Sequence, residues 1–457
     1  MSKRGVWRTA TVSLLLLTLT ACGRTGSALV AGAGSAAHNL CSSMFVSGLP
    51  EEQTRDELVG SLLGPARHLL GVQVDQEQRT VAASLLWVRA QARYTPGYGC
   101  RLILGSNQVP LIPQPAAEEV AVEDGFAPPS VVESSNPALR AALARVFAAG
   151  PGKPRRVKAV VIVKDGHVIA ERYAPGIGVA TPLMSFSVAK SVTNALLAIL
   201  VRQGRVSMSA PALVPEWREP GDPRGSIRPD DLLRMVSGLD AAETGSGSDP
   251  ASQMLYASND MGAYSAARPL AQPPGTRWDY TSNNTLILDR MIGRVVGGGP
   301  AGLREFAQSQ LFAPIGMSRV TVEFDGAGTF IGSSHVYAPA RSWARFGWLY
   351  LNDGVTPGGQ RILPEGWVAY SKRSTLGTPY GAGFWTNDGP SAEAAGRVAR
   401  GFPRGGFYAS GNLGQRIYII PSERLVIVRF GYSAPPDFGM DADLTLIAAV
   451  IAASKSG

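Results

Sequence analysis

Two hairpin patterns stand far apart in the chain, and together they constrain the fold more than any other feature. Lys158 to Tyr173 carries Val160 and Ile162, then Asp165-Gly166, then Val168 and Ile169. An Asp-Gly pair suits the positive φ angles of a type I′ turn, so this stretch predicts two antiparallel strands. Near the end, Gln415 to Ile420 and Leu425 to Phe430 flank a turn at Pro421-Ser422-Glu423-Arg424. Helical spacing precedes the first hairpin at Leu139 to Ala149. It fills the interval at Val188 to Gln203 (stopped by Gly204), Thr285 to Val296 and Ala340 to Leu351, and it closes the chain at Asp441 to Ala453. Strands at both ends with helices between predict an α+β domain over residues 138–457, in which one antiparallel sheet joins the first and last strands.

The 457 residues leave room for more than that domain. Lys3, Arg4 and Arg8 form a positive flank, and Thr9 to Thr20 is apolar around Leu14-Leu15-Leu16-Leu17. This run is shorter than the roughly 20 residues that span a bilayer. Leu19-Thr20-Ala21-Cys22 follows, and it is similar to a bacterial lipobox, in which the signal is cut before a cysteine that receives lipid. Residues 1–22 are therefore expected to be a lipoprotein signal peptide and Cys22 the anchor; a plain signal peptide is the alternative. Gly23 to Ala37 is rich in Gly, Ala and Ser and is expected to be a flexible tether. Residues 38–110 are expected to form a small folded region, with strand-like or mixed patterning around Trp87 and Tyr94. Residues 111–137, rich in Pro, Ala and Glu, are expected to link it to the main domain.

An exported chain meets an oxidising compartment, where Cys41 and Cys100 are the right number for one disulfide; two unrelated buried thiols are the alternative. The formal charge of +8 falls to +5 once Lys3, Arg4 and Arg8 are set aside. Beyond Lys153-Pro154-Arg155-Arg156, read as a solvated domain edge, no basic run and no recognition motif argues for nucleic acid.

The candidate chemistry begins at Ser187-Val188-Ala189-Lys190. Residues three apart share a helix face, so the lysine amine can reach the serine hydroxyl. A serine is a weak nucleophile until a base takes its proton. Lysine serves as that base when its pKa falls well below about 10.4. Burial does this, and Met184, Phe186, Val188 and Val192 are apolar neighbours. The positive end of the helix dipole acts in the same direction. Alone the tetrapeptide is weak evidence, because a serine at a helix start is more often a cap.

Two distant stretches strengthen it. Tyr280-Thr281-Ser282 precedes a helix, and Ala409-Ser410-Gly411-Asn412 enters the last hairpin. In this order the three resemble the motifs of the serine β-lactamase and penicillin-recognising family. The likeness is closer to its carboxylesterase and 6-aminohexanoate-dimer hydrolase branch, and it covers about residues 140–457. Ser237-Gly238-Leu239, Ala340 to Gly347 and Arg361 to Trp367 support it. The resemblance implies a β-lactamase/transpeptidase-like fold: an antiparallel sheet with helices on both faces, and a helical subdomain over about residues 205–340. It implies that Ser187 forms the acyl-enzyme and Lys190 takes its proton. Tyr280 would deliver a proton to the leaving group. Ser282, where many relatives have Asn, would bond Lys190 or substrate, and Ser410 would retain the hydroxyl of the third motif. The backbone N–H groups of Ser187 and Asn412 would form the oxyanion hole, with Gly411 allowing close approach. The expected activity is hydrolysis of a small ester or amide substrate without cofactor.

The third motif departs from the family pattern. Ala409 stands where β-lactamases carry Lys or His, a cation that helps hold the carboxylate of a β-lactam. A neutral substrate therefore gains weight over a D-amino-acid peptidase or weak class C-like β-lactamase activity. A non-catalytic surface lipoprotein is the alternative of another class. No Gly-x-Ser-x-Gly occurs. Of the four histidines, His167 reads as surface or packing, and His335 as structural or cleft-lining. No His/Asp/Glu clustering suggests a metal site.

Overall fold

The segment expected to be a tether is a helix. In the computed structural model, which describes residues 6–115, 125–148 and 156–455 (side chains from 25 to 454), α1 (Val6–Phe45) runs through it. Its later turns pack on a four-stranded antiparallel sheet of β1 (Leu70–Asp75), β2 (Thr80–Leu85), β3 (Val88–Thr95) and β4 (Gly99–Leu102), in that order. Ala36, Ala37, Leu40 and Cys41 meet Val81, Ala83, Ala92 and Leu102 in one core. Cys41 and Cys100 are disulfide-bonded, with Cα atoms 6.1 Å apart. Small side chains give no core by themselves, yet they let a helix lie close to a partner. A Cβ on Gly32 would sit 2.8 Å from Leu85 Cδ1, and one on Gly34 would sit 2.2 Å from the Tyr256 carbonyl oxygen. The side chains of Leu19 to Cys22 and of the basic flank lie outside the described residues. Among the described residues no helix is long and apolar enough to cross a membrane.

The expected linker is also more than a connector, although residues 116–124 lie outside the described part. Phe126 is buried, and Ala127 and Val132 pack against the main core. Arg341 donates to the carbonyls of Pro128 and Ser130, each at 2.7 Å.

The main domain contains α2 (Pro137–Phe147), β5 (Val157–Lys164), β6 (His167–Tyr173), α3 (Ala189–Arg202), α4 (Pro250–Ala257), α5 (Ser282–Val296) and α6 (Ala340–Leu351). It continues with β7 (Trp385–Thr386), β8 (Phe407–Gly411), β9 (Gln415–Ile420), β10 (Leu425–Gly431) and α7 (Met440–Lys455). The strands form one antiparallel sheet in the order β7-β8-β9-β10-β5-β6. First and last hairpins thus join, with Ile427 opposite both Ile162 and Tyr418. The Asp165-Gly166 turn has φ of +50° and +89°, as its type requires.

Alternate residues of the sheet face opposite layers. Val160, Ile162, Tyr418 and Ile427 share a core with Leu143 of α2 and Leu444 and Ile447 of α7. Val161, Val163, Ile417 and Val428 share the other with Leu196 of α3 and Trp343 and Phe346 of α6. Covering on both faces explains why β5 and β10 read as continuous apolar runs. Helices α4 and α5, with Met261–Ala266 and Gly299–Ala307, occupy the expected helical subdomain.

The N-terminal unit docks on this domain through buried contacts. Glu323 accepts hydrogen bonds from Ser42 Oγ and the Cys100 N–H, both at 2.7 Å. Its other oxygen lies 2.8 Å from His38 Nε2. Leu58 packs with Phe186 and Leu413.

Candidate active site

Ser187 lies in the short turn Phe186–Val188 that leads directly into α3. The turn holds Phe186 at φ +44° and buries its side chain, while Ser187 stays partly exposed. One turn later Lys190 is 2% exposed. Lys190 Nζ donates to Ser187 Oγ at 3.0 Å, Ser282 Oγ at 2.9 Å and the Ser333 carbonyl at 3.1 Å. Burial lowers its pKa to about 8, against the opposing pull of the Glu243 and Asp289 carboxylates. Near neutral pH a fraction on the order of a tenth is then the free amine.

Tyr280 reaches the same centre. Its ring lies 4.9 Å from Lys190 Nζ, and its hydroxyl interacts with the Ser187 side chain. Burial first, and then Glu243, raise the phenol well above its usual pKa, so it remains a proton donor. Tyr380 and Trp385 wall the ring at centroid distances of 5.6 and 5.7 Å. Ser282 is placed by the start of α5, where the Thr281 side chain caps the Asn283 N–H. The Ser282 N–H donates to Glu243 Oε2.

The last motif arrives on β8. A Cβ on Gly411 would fall 2.4 Å from the Ser185 carbonyl oxygen and 3.0 Å from Phe186 Cβ, so glycine is what lets this strand end approach the Ser187 turn. Asn412 and Leu413, rather than Ser410, line the cleft with Ser187. Ala409 is buried, Arg404 is exposed on a separate turn, and no lysine or arginine is among the cleft-lining residues. The cleft measures about 670 Å³ and is lined by apolar groups, including Leu29, Leu62, Leu85, Leu255 and Leu413, together with Glu243 and several serines and threonines.

The fold thus brings Ser187, Lys190, Tyr280, Ser282 and Asn412 together. Sequence reasoning missed Glu243, the Ser333 carbonyl, Asp289 and the α1 wall of the cleft. Glu243 and Ser333 sit in loops with no periodic signal. The α1 residues were hidden by a composition that resembles a linker.

The histidines bring a correction. Sequence inspection finds no clustering of histidine with carboxylate, yet His38, Glu323 and His335 come together with ligand-type atoms within 4.8 Å. Contacts across 285 residues of sequence leave no local pattern. His335 is fully buried and its ring stacks on His38 at 4.1 Å, so it packs rather than lining the cleft. Burial and the neighbouring His38 hold its pKa well below the usual value. His167 is at the surface, with Nδ1 2.8 Å from the Gly125 carbonyl.

Comparison with known proteins bears on the family and the fold. The beta-lactamase family model matches residues 143–452. A 6-aminohexanoate-dimer hydrolase of Paenarthrobacter ureafaciens is 28% identical over 306 residues, which covers 61% of this chain and 73% of that protein. A family VIII carboxylesterase superposes with a TM-score of 0.53 at 15% identity, covering 71% of this chain and 100% of the other. A penicillin-binding protein homologue from Caulobacter crescentus does so at 0.52 with 17% identity, covering 71% and 100%. At these identities the structural matches speak for the fold alone.

Proposed function

Because this chain belongs to the beta-lactamase family, we propose that it is a serine hydrolase of esterase or amidase type that acts through an acyl-enzyme on Ser187. Lys190 takes the Ser187 hydroxyl proton as Oγ attacks the substrate carbonyl carbon. The negative charge that develops on the carbonyl oxygen is held by the N–H groups of Ser187 and Asn412, donors of a kind each worth about 3 kcal/mol in the transition state. The tetrahedral intermediate collapses, and Tyr280 passes a proton to the departing alcohol or amine. Tyr280 is reprotonated from the Lys190 ammonium, and water then hydrolyses the acyl group by the same steps. The observation that carries this reading is the placement of Lys190 Nζ, buried, lowered in pKa and 3.0 Å from Ser187 Oγ.

The substrate in this reading is a neutral or apolar ester or amide. The apolar groups lining the cleft and the lack of a cation among the lining residues support it. The name of the relative, 6-aminohexanoate-dimer hydrolase, is compatible with an amide. Leu19-Thr20-Ala21-Cys22 supports export and lipid anchoring at Cys22, on the outer side of a membrane. A disulfide between Cys41 and Cys100 accords with that compartment.

The test is intact mass after exposure to a fluorophosphonate. Wild type should gain one adduct, Ser187→Ala none, and Lys190→Ala an adduct formed at least about a hundredfold more slowly. A folded wild type that gains no adduct would overturn the catalytic reading in favour of a binding role.

A further inference from the structure

Nine large hydrophobic side chains are exposed among the described residues, and four of them belong to the small N-terminal unit: Val30, Leu69, Leu86 and Trp87, at 38%, 51%, 52% and 79%. The register puts three of these at one end of its sheet. Leu85 is opposite both Leu70 and Val88, so Leu86-Trp87 forms the tight turn there and Leu69 emerges beside it. Val30 is on α1 two residues from Gly32, whose Cβ direction meets Leu85, so it faces away from this end of the sheet. Arg67 and Arg89 are exposed at this end, with Asp56 near Arg67; the opposite end, around the β1–β2 turn, carries Asp75 and Glu77 together with Arg79 and Arg93.

The same end leads into the catalytic cleft. Ala66 and Leu85, chain neighbours of the patch, line the cleft with Ser187, as do Leu29 and Ala31 of α1. The rim also includes Thr25 on α1, and from there the chain runs back toward Cys22 and the apolar residues 9–20. With a helical rise of 1.5 Å per residue, Cys22 lies about 5 Å along the axis from the cleft rim.

We propose that Leu69, Leu86 and Trp87 form a membrane-contact face that holds the cleft mouth against the bilayer, so that the substrate is an ester or amide carried by a membrane lipid. An exposed tryptophan beside leucines, flanked by arginines, has the chemistry of the interface between anionic headgroups and acyl chains. Lipid on Cys22 would hold the chain at the bilayer, and a surface contact of this kind would fix which way the cleft faces. A cleft with apolar groups and no lysine or arginine in its walls suits an acyl chain drawn from the bilayer. The proposal rests on the hydrolase reading of the cleft and on acylation of Cys22.

The experiment uses the full acylated protein in vesicles of phosphatidylglycerol and phosphatidylethanolamine. Lipids brominated along the acyl chain should quench the fluorescence of wild type more than that of Trp87→Phe; equal quenching would overturn the contact. The double variant Leu86→Asn/Trp87→Ser should lose about tenfold in kcat/KM on a long-chain ester embedded in vesicles. Its kcat/KM on a soluble short-chain ester should be unchanged. Leu86 sits at φ +54°, which asparagine accepts, so this turn should survive. Equal rates of wild type and double variant on the embedded ester would overturn the proposal. A dimer in sedimentation that Trp87→Ser dissolves would do the same, by assigning the face to a second copy. If wild type hydrolyses neither ester, the hydrolase reading fails, and the quenching comparison still decides the membrane contact.

Discussion

At Lys190 two opposing effects meet. Burial disfavours the ammonium, while Glu243 and Asp289 favour it, and the balance leaves a pKa of about 8. In the proposed mechanism the free amine is the form that accepts the Ser187 proton. Below that pKa, kcat/KM should therefore rise about tenfold per pH unit, and above it the profile should level. Glu243→Gln removes one carboxylate that favours the ammonium, so the rising limb should move to lower pH. A pH series of kcat/KM on a neutral ester for both proteins checks this; a limb that stays in place after Glu243→Gln would exclude Glu243 as an influence on the base. Asp289 exerts its pull from deeper inside, where its carboxylate accepts from Thr193 Oγ1 at 2.7 Å. At this scale the sequence was informative wherever the chemistry was local. Ser187 and Lys190 are three residues apart on one turn, and Tyr280 and Ser282 flank a helix cap. It was silent on Glu243 and on the Ser333 carbonyl, because a loop residue acquires its role from where the fold carries it.

Among the elements, legibility follows periodicity. The two hairpins and helices α3, α5, α6 and α7 were legible because both their apolar spacing and their turn residues pointed the same way. The prediction for α6 ends on the observed residues, Ala340 and Leu351. Helix α1 was misread because Gly, Ala and Ser contribute little burial area, and no apolar stripe marks a face. Its helicity comes from tertiary packing, the usual source of helix stability in proteins. The disulfide to β4 is part of that packing. It closes a loop with a sequence separation of 59, worth roughly 4 kcal/mol in the chain-entropy account. In Cys41→Ser/Cys100→Ser the denaturant midpoint of the N-terminal unit should fall, and protease should cut within residues 25–45 first. Because α1 walls the cleft, kcat/KM for bulky apolar esters should fall more than for acetate esters. Wild type treated with reductant should behave alike. An unchanged midpoint would mean that packing against α4 and the sheet holds α1 unaided.

For the molecule as a whole, the small unit and the hydrolase domain are coupled through one buried carboxylate. Glu323 is 0% exposed and lies opposite Ser42, Cys100 and His38, all from the N-terminal unit. A buried hydrogen-bonding group left without its partner costs about 1–3 kcal/mol. Glu323→Gln preserves size but supplies one acceptor oxygen and an NH₂ group in place of two acceptors. Its oxygen can still accept from Ser42 and Cys100, but its NH₂ group then stands where the second carboxylate oxygen faces His38. Its denaturant midpoint should therefore fall by an amount corresponding to about 1–3 kcal/mol. Two-state unfolding should give way to an early step in which the N-terminal unit releases. Glu323 belongs to the segment that runs through Ser333, whose carbonyl accepts from Lys190 Nζ, so this step should coincide with loss of activity. Parallel denaturation curves, followed by intrinsic fluorescence and by residual ester hydrolysis, test the coupling. If activity survives after the N-terminal unit has released, the hydrolase domain completes its catalytic centre alone and α1 serves only as a wall of the cleft.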